Sequence, residues 1–171
     1  MASADFAPLR QRHQAALARL ILAAERVPAA HWNTPVRDGA WSPAQVAEHI
    51  RLSYQVLGGE FGGRQGIRIR TNWLQRTIAR LLFLGDILEK GKIPRGARAP
   101  REVAPGPGPF DRDPTLAAVR TLGTEFDTTL ERQWDVPRAH ATHHIFGKLR
   151  PVQLLKFAAT HAEHHAKQLE T

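Results

Sequence analysis

The sequence predicts an all-α protein: an antiparallel four-helix bundle with a long irregular insertion between its second and third helices. Three observations predict it. Apolar residues recur at helical spacing in four long, separated segments. Helix-start signals stand where the second and third of these begin. No stretch alternates in the strand manner strongly enough to compete. At 171 residues the chain suits one domain spanning residues 1–171, large enough to bury a core without cross-links.

The first helix is expected from about Phe6 to Arg26, where Leu9, Leu17, Leu20 and Ile21 form the apolar stripe and Pro28 ends it. The second opens in "WSPAQVAEHI": Ser42 suits the N-cap, Pro43 the first helical position, and Gln45 completes a capping box. Its inward face should run through Val46, His49 or Ile50, Ser53 and Leu57, and the glycine cluster "GGEFGG" should stop it. Residues 61–113 form the insertion. It holds a further helical run, "NWLQRTIARLLFLGDILEKG", and then residues 94–114, whose six prolines and three glycines are loop chemistry. Asp113 as N-cap and Pro114 as first residue restart a helix carrying Leu116, Val119, Leu122, Phe126 and Leu130 to about Trp134. The last helix should begin near Pro151 and run to the C-terminus.

Composition narrows the class. Hydrophobic residues at 42% and charged residues at 23% are those of a globular chain rather than a disordered one. The absence of cysteine removes disulfides, thiolate metal sites and a cysteine nucleophile, and fits a reducing compartment. No basic n-region precedes an apolar run at the N-terminus, so no signal peptide is expected. The greasiest stretch, "IARLLFLGDIL", is too short to span a bilayer, and a cytoplasmic location with no membrane contact is the expectation. The net charge of +8 is concentrated between Arg64 and Arg101, where ten basic residues face only Asp86 and Glu89. This reads as a solvated, arginine-rich excursion or as a patch for an anionic partner. No nucleic-acid motif accompanies it, so nucleic acid is not an expected partner. The glycine-rich "GGEFGGRQG" lacks the lysine-serine/threonine ending of a phosphate loop and follows a helix rather than a strand.

The segment "THAEHHAKQ" carries the chemistry. On a helical wheel, with His161 at zero, Leu154, Ala158 and Leu169 lie to its positive side and Phe157 lies about 40° to the other. His165 falls about 40° toward the apolar stripe, and His164 about 60° away at its edge. His161 and His165 therefore face inward one turn apart, a spacing that lets two imidazoles share one metal ion. His49 also falls on the inward face of its helix. Three histidines from two helices make a facial metal site with positions left open; the alternative is a set of core histidines bonded to carbonyls or water. The zinc-protease signature is absent, because Ala162 stands where its glutamate would be and Glu163 points outward.

Three stretches carry a resemblance. "WSPAQVAEHI" is similar to a tryptophan–serine–proline helix start leading to a histidine. "HHIFGKL" is close to a His-Pro-x-Phe-Gly-x-Leu pattern, and "LLKFAATHAEHHAKQL" to a His-x-x-His-His-x-x-Gln-Leu ending. In these the chain resembles the DinB/YfiT-like superfamily, in particular its DinB-like members, over most of its length. The resemblance implies a four-helix bundle, a divalent metal held by His49, His161 and His165, and a homodimer. It also implies kinship with thiol-dependent enzymes, such as bacillithiol transferases and a mycothiol-dependent isomerase. The sequence departs from the pattern at His144, where proline is usual, and at Arg150, where a threonine or serine cap is common.

The functional expectation is a metal-dependent enzyme, with zinc or nickel as the ion and a small-molecule substrate. An open ion lowers the pKa of a thiol or of water. A thiol nucleophile, which must arrive with the substrate, makes an S-transferase; water makes a hydrolase. A non-catalytic module, with the metal stabilising the bundle and the basic stretch binding an anionic partner, is the other class. His143 is the candidate proton shuttle, or else a residue that caps its loop. Gln168 could orient a ligand or end the bundle as a satisfied polar group.

Overall fold

The computed structural model describes residues 5–93 and 98–170. Its elements are α1 (Phe6–Arg26), α2 (Pro43–Phe61), α3 (Trp73–Ala79), α4 (Gly85–Lys90), α5 (Arg112–Gln133), β1 (Ala141–His143), β2 (Gly147–Leu149) and α6 (Pro151–Leu169). A π-helical turn, Arg80–Leu84, joins α3 to α4. The chain is mostly helical. α1 packs along α6 and α2 along α5, and contacts of α5 with α1 and α6 join the two pairs. Leu20, Ile50, Phe126, Leu130, Leu154 and Leu155 are sealed between these helices. Burying each such side chain contributes about 1.5–3 kcal/mol.

The helix starts follow their local chemistry. Ser42 and Gln45 close the capping box of α2, the Ser42 hydroxyl accepting from the Gln45 N–H (3.2 Å) and the Gln45 carboxamide from the Ser42 N–H (3.0 Å). α1 spans the expected residues. α2 runs through Gly58 and Gly59 to Phe61, which packs on the core, and Gly62 is its C-cap. α5 starts two residues before the expected position, with Asp111 at its N-cap. Pro114 then sits in the first turn, where its missing N–H would have had no intrahelical partner.

The mostly helical chain also carries one short hairpin that the sequence did not signal: β1 and β2 pair antiparallel, with His143 opposite Gly147. Strands of three residues are too short to show a period, and the turn is closed by Gly147 at φ 69°. Within residues 61–113, α3, the π-helical turn and α4 cover Trp73–Lys90, where a helical run is expected. Asn72 caps α3 with Gln75. Leu84, Ile87 and Leu88 are buried, α4 packs on α6, and the Thr160 hydroxyl donates to the Ile87 carbonyl (3.1 Å).

The proline-rich stretch forms no long element, but it is tied down. The Gln45 amide donates to Gly106 O (3.0 Å), the Trp32 indole to Phe110 O (2.8 Å), and the Phe110 N–H to Asn33 (3.0 Å). Residues 94–97 of that stretch lie outside the described residues. Part of the basic stretch is structural: the Arg80 guanidinium donates to the carbonyls of Phe146 (2.8 Å) and Lys148 (3.1 Å) at the hairpin. Among the described residues no helix is long and apolar enough to cross a membrane.

Candidate metal centre

α2 delivers His49 and α6 delivers His161 and His165 to one point, with one ligand nitrogen from each lying within 4.8 Å of the others. His161 Nε2 is 3.0 Å from His49 Nε2 and 3.1 Å from His165 Nε2. The outer two rings are held from behind. His49 Nδ1–H donates to the Val103 carbonyl (2.7 Å), and His165 Nδ1–H to the Gln168 side-chain oxygen (2.7 Å). Trp41 lies against His49, and Phe157 stacks on His161. His49 and His165 are buried, and His161 keeps partial exposure toward a cavity of about 1840 Å³ that all three line.

Hydrogen-bond bookkeeping tests whether this set fits a cation. A carbonyl and an amide oxygen only accept, so His49 and His165 carry their protons on Nδ1 and turn a bare Nε2 lone pair inward. His161 Nε2 has one proton at most, and can donate to only one of them. The other bare Nε2 is left facing His161 Nε2 with no proton between them, at about hydrogen-bonding distance. Protonating another ring is opposed by burial, which pushes His161 well below the ordinary histidine value and His165 down to about 3; neighbouring imidazoles add to both shifts. His49 is lowered as well, again chiefly by burial. A divalent ion satisfies three converging neutral imidazoles where protons cannot. Among the described residues no carboxylate joins the cluster.

The other expected residues fall around this point. His164 stays outside the cluster, at the rim, with its Nε2 3.1 Å from the Gln168 amide nitrogen. Gln168 accepts from His165 Nδ1–H and also lines the cavity. Glu163 is not free in solvent: it pairs with Arg12 of α1 (3.4 Å). His143 ends β1 and lines the same cavity, with its ring against Phe157. At Arg150, the residue in place of the usual cap, the backbone N–H is met by the Gln153 side chain (3.0 Å).

Sequence reasoning missed the Val103 carbonyl, because a backbone group in a proline-rich loop carries no side-chain signal. It also missed His13, buried in α1 between Asp127 and Tyr54. That one had a signal: His13 sits four residues from both Leu9 and Leu17, on the apolar stripe.

No curated protein and no solved structure matched the chain. The match that exists is to a family model, and it takes in residues 11–169, from before His13 to the end of α6. The chain belongs to the DinB superfamily.

Proposed function

We propose that the protein is a metal-dependent enzyme, an S-transferase for a low-molecular-weight thiol, with zinc or nickel held by His49, His161 and His165. The observation that carries this reading is the convergence of three neutral imidazole nitrogens beside a large cavity, with no fourth protein ligand among the described residues. A structural ion is normally closed off by four protein ligands; three leave room for a substrate. Imidazole suits both metals. When bound, such an ion supplies Lewis-acid chemistry that makes an incoming thiol or water more acidic.

The chain's own part is positional. Val103 and Gln168 fix the tautomers of His49 and His165, and Phe157 and Trp41 wall the rings. With no cysteine in the chain, the sulfur must come with the substrate. The whole chain is taken as one domain in the cytoplasm, its four long helices forming an antiparallel bundle, which the α1–α6 and α2–α5 packing supports.

A homodimer is part of the proposal. Trp73, Leu74, Ile78, Leu81 and Leu82 are exposed along the insertion helix, Leu81 at 79%. A contiguous apolar row of this length is more than a monomer normally shows, and it can be covered by the same row of a second copy.

The test is elemental analysis of tag-free protein, followed by a screen for loss of free thiol against alkylating electrophiles with the metal restored. About one ion per chain and metal-dependent thiol consumption are expected. A protein that takes up neither zinc nor nickel at neutral pH overturns the reading. Ester cleavage without thiol consumption makes water the nucleophile.

A further inference from the structure

We infer that His143 is a fixed hydrogen-bond donor in the cavity, and that the substrate it receives is an apolar molecule bearing a carbonyl-type acceptor oxygen. This rests on the reading that the cavity beside the three histidines is the substrate site.

The β1–β2 turn fixes the tautomer of the His143 ring. The backbone N–H groups of Ile145 and Phe146 both point at His143 Nδ1, at 3.2 and 3.3 Å. A backbone N–H cannot accept, so Nδ1 is the bare nitrogen and the ring proton sits on Nε2. The ring is clamped as well as assigned. Phe146 stacks on it at 4.7 Å and Phe157 meets it edge-on at 5.0 Å.

Among the described residues Nε2–H has no partner. It is not one of the sealed, unpaired polar atoms either, which among the described residues are Glu102 Oε2 and Arg112 Nε. His143 lines the cavity, so this N–H opens onto it. Burial, helped by His144, pushes the ring down to about 3, so near neutral pH it donates a hydrogen bond. The clamped ring and the Nε2–H tautomer thus support a positioning role for His143, beside the shuttle role expected from the sequence.

The cavity walls name the rest of the ligand. Leu57, Ile67, Phe83, Ile87 and Phe157 face it, with Arg26, Arg37, Arg98 and Lys167 also on the lining, and Phe157 touches both His143 and His161. Among the described residues the one carboxylate on the lining, Glu170, is already bridged by two donors of Arg19 at 2.8 and 2.6 Å. A cationic ligand finds no counter-charge there. What fits is an apolar body that ends in an acceptor, because a lone fixed N–H discriminates by whether it is paired or left unpaired.

The test uses metal-free, full-length protein and two isosteric probes: acetophenone, and α-methylstyrene, in which a methylene replaces the carbonyl oxygen. NMR of the histidine ring nitrogens should show the Nε2–H tautomer for His143. Acetophenone should move that resonance and bind up to about tenfold more tightly than its isostere. His143→Phe should erase the preference while metal uptake persists. The Nδ1–H tautomer, equal affinity for the two probes, or a preference that survives in His143→Phe would each overturn the inference. If His143→Phe does not fold, the wild-type tautomer and preference decide alone. Metal uptake is read separately. A chain that binds no metal but prefers acetophenone sinks the enzyme reading and keeps this one; a metal-binding chain without the preference does the reverse.

Discussion

His13 and His161 both sit on the inward face of a helix, yet their surroundings differ at each nitrogen. Around His13, Asp127 lies 2.6 Å from Nδ1 and the Tyr54 hydroxyl 2.7 Å from Nε2, and all three groups are buried. Gln14 donates to the other Asp127 oxygen (3.2 Å). Burial, and then the Asp127 charge, raise the Tyr54 pKa, so its hydroxyl stays protonated. Around His161, among the described residues, there is no carboxylate, and two bare imidazole nitrogens face it. The first cluster completes itself and ties α1, α2 and α5 together. The second is incomplete, and a ligand must finish it. A buried histidine is diagnosed by what its second nitrogen meets, not by its burial.

The largest effect that could break this comparison lies in the completed cluster. Asp127→Ala removes the carboxylate that accepts from both His13 and Gln14, and each such bond to a charged group is worth about 1.5–3 kcal/mol. Thermal denaturation should show a fall of roughly 10 °C in Tm. Metal content, measured on the same sample, should stay at wild type; a loss there would mean that the two clusters act as one.

Next comes His165→Ala. Zinc affinity, from chelator competition, should fall by about a hundredfold or more. The metal-free variant should be at least as stable as the wild type, since the one proton on His161 Nε2 then has a single acceptor, His49, to serve. Opposite stability effects in the two clusters would sharpen the distinction, and equal losses would erase it.

A third buried histidine has an effect of intermediate size. His143 takes a proton at its ordinary value when unfolded, but only near about 3 when folded. Between those values the unfolded chain binds more protons, so folding stability is lost as pH falls. Going from about pH 7 to about pH 5, this group should account for about 2 kcal/mol of lost stability. Denaturant titrations of wild type and His143→Phe at both pH values would show it as a smaller drop in the variant. Parallel curves would mean that His143 protonates in the folded protein.

The smallest effect is expected at His164, which lies at the rim. His164→Ala should leave zinc affinity within about a factor of two. A larger loss would place it among the ligands and undo the inward–outward assignment on α6.

Much of this arrangement was legible because helices write their faces into sequence. A spacing of four put His161 and His165 together, and the capping box at Ser42 fixed the phase that turns His49 inward. What stayed hidden was what short or backbone-made structure hides. Three-residue strands have no period to detect. The Val103 carbonyl looks like any other. Asp127 could not be matched to His13 by spacing, since more than a hundred residues separate them and only the packing of α1 on α5 brings them together. Proline content marked residues 98–111 as irregular, but could not reveal that Trp32, Asn33 and Gln45 hold them in place.

The bond from His49 to Val103 makes that loop thermodynamically part of the site. Order in the loop and ligation at His49 are linked equilibria, so each must favour the other by the same factor. A substitution that loosens residues 101–103 weakens ligand binding without touching an imidazole, and occupancy of the histidines slows cleavage of the loop by a protease to the same energetic extent. The affinity of the site is therefore set in part by a stretch of chain that contributes no ligand to it, and variation in that stretch can retune the site while all three histidines stay in place.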